Sequence, residues 1–240
     1  MFVFFACDSE DVNDCVQSAG SMVAVPYELA PFEKIRIERN VSLTLEQGPT
    51  QKVILETGEN LLPEVEVSVV DGVLVVRDNN GCNIFREFGI TNVKVTTPDL
   101  LEIRNGSSFD VNGVGVLKFP NLRLISNTTG GFEGIRKSGD FKLEVVVESL
   151  QVDANGSSGF YISGSAETAV ISFLDEVPRF EGPDLIINDL RIFQRSSNHM
   201  IVNPLQSIRG QIYGLGDVIS LNRPKIVEVE ELNSGRLLFQ

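Results

Sequence analysis

Three stretches of this sequence share one pattern, a short run of small polar residues that ends in phenylalanine: Asn105-Gly-Ser-Ser-Phe109, Asn127-Thr-Thr-Gly-Gly-Phe132 and Asn155-Gly-Ser-Ser-Gly-Phe160. Each follows a strand-like run that begins with leucine. A strand and a turn that recur at intervals of 22 and 28 residues are typical of β-structure that stacks coil upon coil, because one coil cannot bury its apolar side alone. The unequal intervals predict coils of irregular length.

Strict alternation of apolar and polar residues marks the segment 31–97. It is clearest over 41–45 and 65–69, where every second residue is valine or leucine. Such a period of two is typical of strands with one buried and one solvated face. Asp71-Gly72 lies between two valine-rich runs and is a strong signal for a two-residue hairpin. We therefore predict an antiparallel sheet over 31–97.

From residue 98 onward the strand-like runs shorten, and the turns between them are rich in Gly, Asn and Ser. These residues tolerate the left-handed dihedrals that corners require. Apolar residues nowhere follow the helical period for ten residues. We predict an all-β fold in one domain over 31–240: an irregular right-handed β-helix, or β-solenoid, over 98–240, with the antiparallel sheet on its N-terminal side. The alternative is a second antiparallel sandwich.

The composition excludes some partners. The 240 residues include 20 basic and 33 acidic ones, which gives a formal net charge of −13. A field of that sign repels nucleic acid and anionic headgroups. No segment approaches the roughly 20 apolar residues needed for a transmembrane helix, so we expect contact with a membrane only through an anchor.

The first seven residues, Met1-Phe-Val-Phe-Phe-Ala-Cys7, resemble the lipobox of a bacterial lipoprotein, with a small residue before the cysteine. In that case Cys7 carries the lipid, and residues 1–30 form a leader and linker that Pro26 interrupts. The acidic residues after Cys7 resemble the tract that directs some Bacteroidetes lipoproteins to the cell surface. The alternative is an apolar terminus without a signal function.

Lipidation of Cys7 leaves two of the three cysteines, Cys15 and Cys82. An exported protein can join such a pair in a disulfide; two free thiols are the alternative. The sequence contains no Cys-x-x-Cys and no Cys/His spacing of the kind that binds zinc. We therefore expect no metal site.

Several short motifs occur in an order that resembles a known family: Asp14-Cys15, Phe32-Glu-Lys-Ile35, Glu59-Asn-Leu-Leu62, Gly81-Cys-Asn83, Asn155-Gly-Ser-Ser158, Arg195-Ser-Ser-Asn198 and Tyr213-Gly-Leu-Gly-Asp217. The chain is similar, from Ser18 to its end, to the putative auto-transporter adhesin head domain, or GIN-domain, family of exported Bacteroidetes proteins. The resemblance implies an exported β-helical or sandwich-like domain that acts in adhesion or at the cell surface. It implies neither catalytic residues nor a cofactor.

Catalytic signals are weak. The sequence contains no GxSxG nucleophile motif whose serine the single histidine, His199, could activate as a general base. Some enzymes that cleave polysaccharides, pectinase-like lyases and hydrolases, use acidic residues on neighbouring coils. The candidates for such a role are Asp110 and Asp153, with Arg104, Arg123 and Arg191 as partners. The alternative for each carboxylate is a solvated position on a strand.

If the three recurrent turns stack, their polar and aromatic side chains form an edge that could bind a glycan: Asn105, Phe109, Asn127, Phe132, Asn155 and Phe160. The same side chains could instead satisfy one another's hydrogen bonds at the corners. We predict a non-enzymatic adhesion module at the outer membrane that recognises a glycan or a host or matrix protein. A polysaccharide-cleaving enzyme and a purely structural envelope scaffold are the alternatives. Open end coils also allow a homo-oligomer.

Overall fold

A computed structural model of the chain describes residues 18–81, 89–132 and 135–240. It contains 17 strands: β1 (Met22–Tyr27), β2 (Lys34–Arg39), β3 (Val41–Gln47), β4 (Lys52–Gly58), β5 (Val65–Val70), β6 (Val73–Asp78), β7 (Thr91–Thr97), β8 (Glu102–Ser107), β9 (Val111–Leu117), β10 (Asn121–Ser126), β11 (Phe141–Ala154), β12 (Gly159–Phe173), β13 (Arg179–Gln194), β14 (Met200–Ile212), β15 (Val218–Ser220), β16 (Ile226–Glu231) and β17 (Leu237–Phe239). In these three ranges the only helical element is a 3-10 turn at Leu62–Glu64. The predicted all-β fold is confirmed.

The strands form one strongly curled sheet. From β10 to β16 neighbouring strands pair in parallel. Leu150 lies opposite Ala169, Ala169 opposite Leu190, and Leu190 opposite Ile208, so equivalent positions follow at 19, 21 and 18 residues. Each passage of the chain thus adds one strand beside the previous one, and residues of like character form columns across the sheet.

The sheet has two halves, because each of the long strands β11–β14 contributes to both. Face A consists of β1, β4, β7, β3, β9, the first halves of β11–β14, β15 and β17. Face B consists of β5, β6, β2, β8, β10, the second halves of β11–β14, and β16. Inward-pointing residues of both faces belong to one buried cluster.

Phenylalanines near the starts of β11, β12 and β13 form part of that cluster. Phe141 and Phe160 stack in parallel, with ring centroids 4.8 Å apart and planes 9° apart. Phe173, on face B, lies 6.0 Å from Phe160. All three rings are fully buried, and burial of each such side chain contributes about 1.5–3 kcal/mol to folding.

The N-terminal sheet is antiparallel only in part. β4 pairs antiparallel with β1 and β7, and β5 and β6 form the hairpin predicted at Asp71-Gly72, where both residues have positive φ. In contrast, β2 is parallel to β6 and β8, and β3 is parallel to β7 and β9. The prediction of an antiparallel sheet over 31–97 is therefore wrong for β2 and β3. Alternation indicates which side chains are buried but not the direction of the neighbouring strand.

Strand β1 lies in the segment 1–30 that the sequence assigned to a leader and linker. Pro26 does not prevent it, because β1 is an edge strand and a missing N–H is tolerated there. Pairing of β2 with β8 and of β3 with β9 joins the segments 31–97 and 98–240. Within the described ranges, no helix is long and apolar enough to cross a membrane.

At the other end of face B, β16 is an edge strand with an acidic sequence. Glu228, Glu230 and Glu231 are all exposed. Acidic side chains on an edge disfavour pairing with a strand from another molecule.

Candidate binding groove

The two carboxylates predicted as catalytic are each bound to a cation. The Lys142 ammonium lies 2.6 Å from Asp110 Oδ2, and this hydrogen bond raises the pKa of Lys142. Nε and Nη2 of Arg123 lie 2.8 and 2.7 Å from Asp153 Oδ2, which also accepts a hydrogen bond from Gln151. The structure does not bring Asp110 and Asp153 together: Asp110 precedes β9 on face A, and Asp153 lies on face B.

The other residues considered for catalysis have structural contacts. The Arg104 guanidinium donates to the backbone and side-chain oxygens of Asn127, and burial lowers its pKa. His199 Nε2 lies 2.8 Å from Glu181 Oε1 rather than next to a serine. Of the three arginines named as catalytic partners, only Arg123 contacts one of the predicted carboxylates. Asp110 and Asp153 therefore do not form the pair of neighbouring carboxylates that glycoside hydrolysis requires.

The asparagines of the recurrent turns form hydrogen bonds within their own turn or with a neighbouring turn. Asn105 accepts a hydrogen bond from the Ser107 N–H and donates one to the Phe109 carbonyl. Asn127 accepts from both the N–H and the hydroxyl of Thr129. The Asn155 amide exchanges hydrogen bonds with Thr128 on the previous coil. These contacts are the alternative that the sequence left open, in which the corners satisfy one another.

The three phenylalanines of these turns have different surroundings. Phe160 is fully buried in the aromatic stack of the core and cannot reach a ligand in this conformation. Phe109 and Phe132 are half-buried. The guanidinium carbons of Arg36 and Arg104 lie 4.9 and 4.3 Å from the centre of the Phe132 ring, a cation–π arrangement. The glycan-binding edge stays a prediction, carried by Phe109, Phe132 and Asn155.

The cysteines Cys7, Cys15 and Cys82 lie outside the described residues. The structure therefore says nothing of the predicted lipid attachment or of the predicted disulfide. Among the residues it does describe, no group of three or more His, Cys, Asp or Glu side chains could hold a metal ion.

A groove of about 490 Å³ runs over the outer surface of face B, across β12, β13, β14 and β16. Its walls include Val170, Arg191, Phe193, Arg209, Gln211 and Glu228. A shallower depression of about 210 Å³ continues it towards Asp189 and shares Val170, Arg191 and Arg209. Paired strands of the sheet form the floor of the groove.

Two aromatic rings stand at one end of the groove. Phe193 and Tyr213 have ring centroids 5.5 Å apart and planes inclined by 42°, and Tyr213 is 44% exposed. The position of Tyr213 is set by its corner, Tyr213–Asp217, which stacks on the corner before it. A Cβ atom on Gly216 would lie 1.7 Å from the Asn198 carbonyl oxygen, so this close approach requires glycine.

One arginine of the groove forms an ion pair, and the other does not. Arg209 Nε lies 3.0 Å from Glu228 Oε2, and its Nη1 donates to Ser207 Oγ. Arg191 is exposed, and its guanidinium contacts no acid or hydrogen-bond acceptor in the described part of the chain. The same is true of Arg195, which lies just beyond the end of β13. Phe193 lies between them in sequence, so this strand presents arginine, phenylalanine and arginine.

The sequence contained a signal for this groove. Arg191, Phe193 and Arg195 alternate with Ile192 and Gln194, which are buried. The alternation indicates that the first three share the outer face. The partner ring, Tyr213, could not be assigned, because it belongs to the next coil and its proximity depends on the register of β13 and β14.

Comparisons with known proteins agree with this architecture. The family described as "Putative auto-transporter adhesin, head GIN domain" matches residues 31–224. A putative adhesin from Bacteroides fragilis superimposes with a TM-score of 0.82 at 18% identity, over 93% of this chain and 99% of the other. A putative adhesin from Parabacteroides distasonis gives a TM-score of 0.67 at 14% identity, with the same two coverages.

A protein described as a putative lipid binding protein, also from Parabacteroides distasonis, gives a TM-score of 0.63 at 13% identity, over 91% of this chain and 97% of the other. No curated protein sequence matches the chain. At these identities the likeness to solved structures shows the fold alone. The family match covers most of the chain, and we conclude that this chain belongs to the family of putative auto-transporter adhesin head GIN domains.

Proposed function

We propose that this chain is a non-enzymatic adhesion module of the bacterial cell surface or envelope, and that it binds its target through the groove on face B. Membership of an adhesin-head family supports the general role. The observation that carries the site is the contact of half-buried Phe193 with exposed Tyr213 beside the uncompensated charge of Arg191. Exposed aromatic and arginine side chains contribute most of the energy at many binding sites.

The groove is built for binding rather than for bond cleavage. Of its two acidic residues, Glu228 is paired with Arg209, and Glu230 accepts a hydrogen bond from Gln211. Asp110 and Asp153, the candidates for a polysaccharide-cleaving enzyme, lie elsewhere and are ion-paired. A purely structural scaffold does not require an unpaired arginine next to this pair of rings. Both alternatives are therefore less well supported than binding to a glycan or a host or matrix protein.

We further propose that the parallel ladder is a right-handed β-solenoid forming one domain over 31–240. The register of 18 to 21 residues per coil supports the solenoid, and the strong preference of parallel crossovers for the right hand supports its handedness. Residues 1–30 then form the leader and linker, with β1 packed onto the domain as an edge strand.

A lipid on Cys7 is the proposed anchor at the outer membrane, and a Cys15–Cys82 disulfide would tie the leader to the domain. Expression of the full gene in a suitable bacterium should give a membrane-associated protein whose intact mass carries the lipid. An unmodified mass would reject the anchor. Alkylation before and after reduction tests the disulfide. The proposed homo-oligomer is opposed by the acidic edge of β16, and sedimentation at several concentrations tests it.

The test of the binding role uses purified protein on a panel of immobilised polysaccharides and matrix proteins, with retained protein and released sugar ends measured together. We expect retention without release. Replacement of both Phe193 and Tyr213 by alanine should reduce retention. A matched control, Val146→Ala with Leu205→Ala, changes two exposed apolar residues outside the groove and should leave it unchanged. Release of sugar ends, or equal loss in both variants, would reject the proposal.

A further inference from the structure

We infer that the ligand of this groove is an acidic glycan, whose carboxylate or sulfate groups bind Arg191 and Arg195. Its sugar rings pack against Phe193 and Tyr213. The inference rests on the proposed function and adds the chemical class of the target.

The strand geometry places Arg191 and Arg195 on the same face of the sheet, at a spacing that a linear polymer can span. Residues on a strand rise about 3.3 Å each and alternate in direction, so the Cα atoms of Arg191 and Arg195 are roughly 13 Å apart. Ile192 and Gln194 between them are buried, so both arginines lie on the outer face of the sheet. By the same spacing, the Cα atom of Phe193 lies midway. A linear polymer with acidic groups at intervals can therefore contact one arginine, then the ring, then the second arginine.

Charge complementarity favours an anion at this place in spite of the chain's overall charge of −13. Arg191 and Arg195 lack compensating acids in the part of the chain that the structure describes. Two acids also line the groove: Glu228 is paired with Arg209 at 3.0 Å, and Glu230 accepts a hydrogen bond from Gln211. A guanidinium forms two parallel hydrogen bonds with a carboxylate or sulfate, which are stronger than neutral ones.

The size of the site favours a glycan over an acidic protein. A stable protein interface requires about 1,000 Å² or more of buried surface with an apolar centre. The apolar side chains that line the groove are Val170, Ile192 and Phe193, with Tyr213 beside Phe193, and its volume of about 490 Å³ falls in the range of small-ligand sites. Ser172 and Gln211 also line it and provide hydrogen-bonding partners for hydroxyl groups.

The test is a titration of the purified chain with paired polymers that differ in charge: dextran sulfate against dextran, and polygalacturonate against its carboxyl-reduced form. Poly-glutamate serves as the acidic peptide. We expect binding to one or both acidic glycans, little binding to their neutral partners, and affinity that falls with salt. The Arg191→Ala/Arg195→Ala variant should lose about tenfold or more in affinity. The control Lys52→Ala/Lys118→Ala removes the same charge outside the groove, from exposed side chains, and should stay within about twofold.

The outcomes separate this inference from the proposed function. Equal binding of neutral and acidic glycans, or an arginine variant that matches the lysine control, overturns the inference but leaves a binding module. Tighter binding of poly-glutamate than of either acidic glycan also overturns it, in favour of a protein target. Failure to bind any glycan overturns the inference, and failure on the matrix-protein panel as well overturns the proposed function.

Discussion

Replacement of Phe160 by alanine tests whether this residue belongs to the core. Its side chain is fully buried and stacks on Phe141 at 4.8 Å. Phenylalanine-to-alanine changes in cores cost about 3–5 kcal/mol, and the lost aromatic pair adds about 0.5–1.5 kcal/mol beyond buried area. We expect a loss of about 4 kcal/mol in the free energy of unfolding, a large share of the roughly 5–15 kcal/mol of a typical domain.

Urea unfolding followed by circular dichroism measures this loss, provided that the slope with denaturant is unchanged. Phe109→Ala is the matched control, because Phe109 ends an equivalent turn in sequence but is half-buried. We expect that variant to lose about 1–2 kcal/mol, since only part of the ring is removed from water. If Phe160→Ala loses no more than Phe109→Ala, the placement of Phe160 in the core is wrong.

Three further predictions concern stability. Gly216→Ala should lower the free energy of unfolding by about 2 kcal/mol or more in thermal melts, because its Cβ would lie 1.7 Å from the Asn198 carbonyl oxygen; an unchanged melting temperature would contradict the stacked corner. Asp78→Ala should cost about 2 kcal/mol in urea, since the Asp78 carboxylate accepts hydrogen bonds from Asn80 and from the Thr91 hydroxyl in a buried site; Asp184→Ala, at an exposed position of β13, is its control. The raised pKa of Lys142 means that its contribution is complete below its ordinary value of 10.5 and is lost as the pH rises through the raised pKa. The stability difference between the parent chain and Lys142→Met should therefore stay constant up to about pH 10 and shrink above pH 10.5, and a difference that stays constant above pH 10.5 would reject the ion pair.

Much of the fold could be predicted from local patterns. The alternation over 41–45 located β3, and Asp71-Gly72 located the hairpin between β5 and β6. The direction of β2 and β3 could not be predicted, because strands far apart in sequence supply their neighbours: β2 pairs with β6 and β8, and β3 with β7 and β9.

The turns that appear equivalent in sequence are not equivalent in space. Phe141 lies opposite both Val111 and Phe160, so the position that matches Phe160 on the earlier coil is Val111 and not Phe109. Ile125 lies opposite both Arg104 and Asp153. Asn105 therefore follows this matched position by one residue, whereas Asn127 and Asn155 follow it by two. Register is a property of paired strands, and a difference of one or two residues in a turn decides whether a ring is in the core or near the surface.

The binding groove was harder to predict for the same reason. The pattern of Arg191, Phe193 and Arg195 is visible in one strand, but two other features depend on neighbouring coils. Tyr213 meets Phe193 only because β14 pairs with β13. Arg209 is engaged because Glu228 lies directly opposite it on β16. Whether an arginine is free therefore depends on its neighbours across the sheet.

The regular spacing of parallel strands has an evolutionary consequence. Ala169, Leu190 and Ile208 occupy equivalent positions on successive coils, and each coil contacts mainly the coils beside it. Duplication of one coil between β11 and β12 would lengthen the body by about 4.8 Å and leave the contacts of the remaining coils in place. A gene of this kind can thus adjust the length of the domain in small increments, while the groove across β12, β13, β14 and β16 is inherited unchanged.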